Sequence, residues 1–181
     1  KRQELQPVLM SMLISMVFSF IIISPLSTVA IAMAIGLSGI AAGSASIGIA
    51  ATEAVLLIGT SQVNRLGIPL SIFFGGVKMM MPNMVKYPVI MVPIFITAAL
   101  SGIASGIIGI GGTKESAGFG FIGMVGLINA FKFMHVDSVW LSLLLIIVAF
   151  FVVPFLIAWI LDLLLRKVIH LYRNDIFKFM G

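Results

Sequence analysis

Apolar residues run through this chain in long stretches, and the prolines between them fall at telling places. Pro7 to Ser24 (PVLMSMLISMVFSFIIIS), Pro25 to Gly48 (PLSTVAIAMAIGLSGIAAGSASIG), Pro69 to Tyr87 (PLSIFFGGVKMMMPNMVKY) and Pro88 to Gly112 (PVIMVPIFITAALSGIASGIIGIGG) each open on proline. Each is close to, or longer than, the about 20 helical residues that cross a hydrocarbon core of roughly 30 Å. Proline in a helix's first turn costs little, because its missing N–H would have had no intrahelical partner. The four prolines are therefore read as helix starts. Val139 to Leu165 is apolar for more than a span.

One heptapeptide is written twice. Leu37 to Gly43 reads LSGIAAG and Leu100 to Gly106 reads LSGIASG. Aligned on it, Pro25 faces Pro88, Ile31 faces Ile94, and Glu53 falls within one position of Glu115. The chain thus reads as a single transmembrane domain over 1–181, with one repeat unit at 7–67, a second at 69–131, and a peripheral C-terminal helix and tail at 137–181. Shared composition of Gly/Ala-rich helices is the competing explanation. Both heptapeptides carry small-xxx-small spacing, which lets helix backbones approach closely in a bilayer; helix packing is the plain reading and a ligand-facing surface the sharper one. The fold class that follows is an all-α integral membrane protein, a polytopic bundle with an internal, inverted repeat and Gly-rich re-entrant or broken segments.

Charge adds topology. Arg166, Lys167 and Arg173 after the last helix argue for a cytoplasmic C-terminus, and Lys1 and Arg2 for a cytoplasmic N-terminus, so an even number of crossings is expected. The count is five to six spans with one or two re-entrant segments. The start KRQELQP lacks a signal-peptide pattern, and a chain opening on Lys1 reads as a piece of a longer protein. Composition agrees with the membrane: 61% of the 181 residues are hydrophobic and 9% charged, against about 25% charged in soluble domains. The 11 Lys and Arg are too scattered for a nucleic-acid footprint. With no cysteine, thiolate chemistry is excluded, and neither a metal site nor a cofactor is expected.

Ionisable residues inside membrane segments mark functional sites. Glu53, Lys78, Lys86, Lys114 and Glu115 qualify, with Asn83 and Asn129 as polar neighbours; His135 and Asp137 belong to a solvated link. GIGGTKESAGFGFIG (Gly109 to Gly123) carries too much glycine for an unbroken helix. Irregular backbone at membrane depth survives only when buried in protein or lining a wet cavity, so Thr113, Lys114, Glu115 and Ser116 read as a binding loop, against the alternative of a solvent-exposed loop. Glu53 is the expected partner of Lys114 if the two Gly-rich segments meet. Left unpaired, it is a candidate proton carrier. In KMMMPNMVKYP, Pro82 is expected to break a helix and free carbonyls beside Asn83, either at the substrate or as a simple kink.

SPLSTVAIA, GGVKMMMPNMVKYP and GGTKESAGFGFIG together resemble the enzyme IIC-like membrane proteins of the phosphotransferase system, sugar permeases that include a perfringolysin O regulator-like group. The resemblance implies a bacterial plasma-membrane permease, a homodimer, and cytosolic phosphocarrier domains as partners. It also places the family's sugar-orienting glutamate at Glu115, although Lys114 separates that acid from Thr113. The histidine common at such sugar sites has no counterpart, since His135 and His170 lie outside the candidate segments. No catalysis is expected of this chain alone.

The sequence therefore reads as a transporter domain for a sugar or other small polar solute, with Glu115 and Glu53 as principal contacts and Thr113, Lys114, Ser116 and Asn83 as secondary ones. Proton- or cation-coupled transport and a non-transporting regulator on a permease scaffold are the alternatives.

Overall fold

The computed structural model describes residues 6–134 and 138–180. Lys1, Arg2, His135 and Asp137 lie outside the described residues. Helix α1 (Pro7–Ile23) begins at Pro7, as read. Its side chains sort in the manner of a lipid-bathed helix: Ser11, Ser15 and Ser19 are buried while Leu9, Leu13, Val17 and Phe20 are exposed. Small polar residues facing inward let neighbouring backbones close in, and large apolar ones face the hydrocarbon.

Three helices form the centre. α1 packs against α3 (Gly39–Ser61) and α6 (Met91–Ile108), which also pack on each other. Glycines set the distances. A Cβ on Gly48 of α3 would overlap the Ser15 backbone, and one on Gly102 of α6 would lie 2.7 Å from the Ser11 carbonyl oxygen. Gly106 meets Val8 and Ser11, and Ser15 Oγ donates to the Ala98 carbonyl at 2.7 Å. The order of these contacts fixes direction. Ser15 meets Gly48 and the Ser19 carbonyl meets Thr52, so α1 and α3 run parallel; α6 runs antiparallel to both.

Two parallel neighbours in sequence require the chain to return. Residues 24–38 climb back along α1's length, about 25 Å at 1.5 Å per residue, and α2 (Thr28–Ala34) is the only helical part of that return. The full-length second helix expected from Pro25 is thus a seven-residue helix and a break. Gly36 and Gly39, with φ of +63° and +60°, hold the turn at a conformation that side chains resist. From Gly39 the chain then runs unbroken through Glu53 to Ser61, so Glu53 belongs to this helix and not to a separate Gly-rich segment after it. Gly48 and Gly59 serve close approach, to the Ser15 backbone and the Phe177 ring.

The second unit is built differently. Residues 69–86 fold into α4 (Gly67–Phe73), a 3-10 turn at Gly76–Met80 and α5 (Met81–Lys86) rather than one long helix. The first heptapeptide opens α3 while the second lies inside α6, so the matching sequences occupy unlike positions. Pro82 stands at the head of α5 rather than breaking it. After α7 (Val125–Phe133), a 30-residue helical stretch, Val139–Val168, comprises α8 (Val139–Ile147) and α9 (Val153–Leu163) joined by a π-turn at Val148–Val152. Pro154 follows that turn, where its absent N–H widens the hydrogen-bond pattern. Among the described residues three helices are long and apolar enough to cross a membrane, Gly39–Ser61, Pro88–Ile108 and Val139–Val168, and α1 is a shorter apolar helix of 17 residues. Against the expected five to six spans, α2 is short and residues 69–86 are divided into short helices among the described residues.

Gln62 at the end of α3 donates to Asp162 of α9 at 3.0 Å, so α9 ends beside the end of α3 and opposite the head of α1. The two ends of the described bundle therefore do not share a side, contrary to the even count. Asp162 also receives Arg166 at 2.9 Å and the Tyr172 hydroxyl at 3.3 Å. The tail beyond is pinned by asparagines. Asn83 donates to the Ile176 and Lys178 carbonyls at 2.8 and 2.7 Å, and Asn64 binds Phe177 and Phe179. Burial, then the Asp162 carboxylate, push the Tyr172 phenol above its ordinary value of 10.0. A raised acid stabilises the fold fully below its unfolded value and loses that contribution as pH climbs through it. The melting temperature is expected to fall above pH 10, with the fall reduced in Tyr172→Phe.

Candidate functional site

The segment after α6 makes a hairpin against α3. Gly109, with φ +78°, ends α6, and Gly112 pairs with Gly39 in a two-way backbone bridge of 2.9 and 3.0 Å. Gly43 admits the Ile110 backbone at the same level. From there the chain advances along α3, past Gly118 against Val29, to Gly120 against Ala50 and Glu53. It turns at Gly123 and Met124, both left-handed at φ +60° and +58°. α7 then brings it back, with Gly126 against Ser46 and Phe133 against Gly111. Glu53 lies 14 residues past Gly39, so the hairpin reaches about 21 Å along α3.

Irregular backbone so deep in the protein needs partners, and three side chains supply them. Thr28 Oγ1 donates to the Gly118 carbonyl at 3.0 Å, and Ser46 Oγ donates to the Phe119 carbonyl. The Phe121 amide donates to Glu53 Oε2 at 2.7 Å. Gly120 is required beside this bond, since its Cβ would fall on the same carboxylate oxygen. Glu53 is fully buried, and its other oxygen, Oε1, has no hydrogen-bond partner among the described residues. The Phe121 ring stacks on Phe151 at 4.7 Å and Phe155 at 5.8 Å and tilts against Phe73. The residue whose amide binds Glu53 thus anchors a cluster of four aromatic rings.

A family model of the phosphotransferase system EIIC proteins matches residues 1–179. The chain belongs to that family. No curated protein and no solved structure matches it significantly. An EIIC domain is a membrane transporter of the sugar-permease class, which agrees with the resemblance read from the sequence and with the apolar helices.

In this EIIC chain the sequence-read residues are spread over three places. Glu53 sits at the hairpin tip. Thr113, Lys114, Glu115 and Ser116 form a turn near its base, where the Thr113 amide donates to Ser116 Oγ at 2.9 Å and Ser116 Oγ donates to the Thr113 carbonyl at 3.0 Å. Ser116 is buried; the Lys114 and Glu115 side chains are about half exposed and 4.0 Å apart. Hydrogen bonds from its own amide and from Thr113 hold the Glu115 carboxyl below the usual range. Lys114 does not reach Glu53, because the turn that carries it stays near the Gly39 end. Asn83 belongs to the tail clamp. Asn129 bonds back to Val125 at 3.0 Å. Thr28 and Ser46 went unnoticed in the sequence: a helical hydroxyl looks ordinary until the backbone it serves is placed.

Proposed function

We propose that this EIIC domain carries a sugar through a site at the hairpin tip, with Glu53 as its principal polar contact. The observation that supports this is a buried carboxylate with one oxygen on the hairpin backbone and one unengaged. A sugar hydroxyl is the natural donor to the second oxygen once the hairpin shifts. Thr113, Lys114, Ser116 and Glu115 are the outer contacts, met at the hairpin's base. Residues 109–133 are re-entrant on this reading, entering and leaving at the Gly39 end of α3.

Orientation follows from charge. Arg65, Lys78, Lys86, Arg166, Lys167, Arg173 and Lys178 belong to the Ser61 end, against Lys114 and Lys132 at the Gly39 end, so the positive-inside rule places the Ser61 end and the C-terminal tail in the cytoplasm. Cytosolic phosphocarrier domains dock there. The test is sugar uptake into proteoliposomes holding the full-length protein with its phosphocarrier partners. Glu53→Gln is expected to cut uptake at least about a hundredfold, the equivalent of a lost charge-assisted hydrogen bond, and Glu115→Gln to change it only severalfold. Equal losses in the two variants would make Glu115 a principal contact beside Glu53, and a larger loss in Glu115→Gln would overturn the assignment.

A further inference from the structure

Glu53 stands in the interior of α3, a helix long and apolar enough to cross a membrane, and its side chain is fully buried. An isolated carboxylate at such a place is among the most costly groups a protein can hold. A cation beside it would offset that cost, yet among the described residues none is placed to do so. α3 has no other ionisable side chain, and α1, α2, α4, α6, α8 and the π-turn at Val148–Val152 have none at all. On the hairpin and α7 the charged residues are Lys114, Glu115 and Lys132, which belong to the base. Lys78, on the 3-10 turn after α4, gives its ammonium to the Ser24 and Leu26 carbonyls. α9 contributes Asp162, which is held by Arg166 and lies beside Gln62, about 14 Å along α3 from Glu53. Asp175 and Lys178 of the tail are exposed at the Ser61 end.

The two carboxyl oxygens are used unequally. Oε2 receives the Phe121 amide at 2.7 Å, while Oε1, equally buried, has no hydrogen-bond partner among the described residues. A neutral carboxyl fits both observations, with its carbonyl oxygen on the amide and its hydroxyl at the unengaged position. A metal ion would need several further oxygens, and no group of three or more acids or histidines is present among the described residues. We infer that Glu53 is a proton-binding site and that its proton latches the hairpin tip. Loss of the proton leaves a bare carboxylate in the same place. The penalty of burying an ion exceeds what one amide bond returns, so the tip lifts and water reaches Glu53. The freed carboxylate is then the acceptor offered to a sugar hydroxyl, and one proton leaves for each sugar admitted. That last step rests on the sugar reading of the tip; the proton and the latch do not.

Two measurements on the full-length protein in lipid nanodiscs test this. Infrared difference spectroscopy of wild type against Glu53→Gln reads the proton. At neutral pH the wild type is expected to show the C=O stretch of a protonated carboxyl, shifted in deuterium oxide and missing from the variant. Amide exchange reads the latch. The latched form binds one proton more than the lifted form, so raising the pH favours lifting, by up to about tenfold per pH unit once the carboxyl titrates. After correction for the intrinsic exchange rate, the Phe119 and Phe121 amides are expected to lose protection with that slope in wild type. Glu53→Gln keeps a carbonyl oxygen for the Phe121 amide and has no proton to lose, so its slope is expected to be zero. Unchanged protection in the middle of α3 shows that the variant is folded. An ionised Glu53 at neutral pH, or the same slope in both proteins, overturns the inference and leaves the sugar contact standing. Unchanged sugar uptake in Glu53→Gln would instead remove the sugar step and leave the latch.

Discussion

Gly48→Ala is expected to cost the folded chain about 3 kcal/mol, the upper part of the range for overpacking. The reason is the nature of the obstacle. The three atoms nearest a Cβ at Gly48 are the carbonyl oxygen, carbonyl carbon and Cα of Ser15, all backbone. No rotamer change can relieve the overlap, so α1 must leave α3 along their shared length. That separation also strains the bond from Thr52 Oγ1 to the Ser19 carbonyl, one turn further on. Gly67→Ala is the control, because a Cβ there meets nothing within 4 Å and its φ is unremarkable; it should be neutral or slightly stabilising. Thermal unfolding in detergent measures both. At about 2–4 °C per kcal/mol for a chain of this size, the first should lower the midpoint by roughly 6–12 °C and the second should not. Equal midpoints would show that α1 and α3 are not in the contact described.

Gly120→Ala acts elsewhere. Its Cβ would overlap Glu53 Oε2 and approach the Ala50 amide to 2.7 Å. The α3 backbone is held by its own ladder, whereas the hairpin tip is held by the three side-chain bonds from Thr28, Ser46 and Glu53. At about 1 kcal/mol each, those bonds yield first. The hairpin should lift while the α1, α3 and α6 centre stays folded. Losing some 3 kcal/mol of local stability speeds amide exchange about a hundredfold, so the Phe119 and Phe121 amides should exchange that much faster while those in the middle of α3 keep their protection. Sugar uptake should fall with them. Uniform acceleration through α3 would mean that the hairpin and the bundle open as one unit.

Much of this architecture can be read from the residues because membrane folding leaves few choices. Runs of apolar residues, prolines at helix starts and a basic tail were enough to indicate an all-helical membrane chain, and the glycine content of 109–123 was enough to indicate a break. Glycine was also where the reading failed. Gly36, Gly39 and Gly109 are used for their positive φ, whereas Gly43, Gly48, Gly102 and Gly120 are used because another group lies where a Cβ would be. In one sequence those uses look alike, and so the stretch around Glu53 was read as a Gly-rich segment apart from its helix and the turn at 35–38 was missed. Asn83 shows the same limit for polar residues. Its type said only that it would need partners, and those partners are tail carbonyls more than 90 positions away.

On the proposed reading, residues 109–133 enter and leave on one side, with the tip latched to Glu53. Because the chain has no cysteine, single cysteines at 65, 114, 132 and 178 can be labelled with a membrane-impermeant maleimide in sealed vesicles of known orientation. The account predicts that positions 114 and 132 label from one side, and 65 and 178 from the other. Labelling of 114 and 132 from opposite sides would make the segment a crossing and contradict the hairpin.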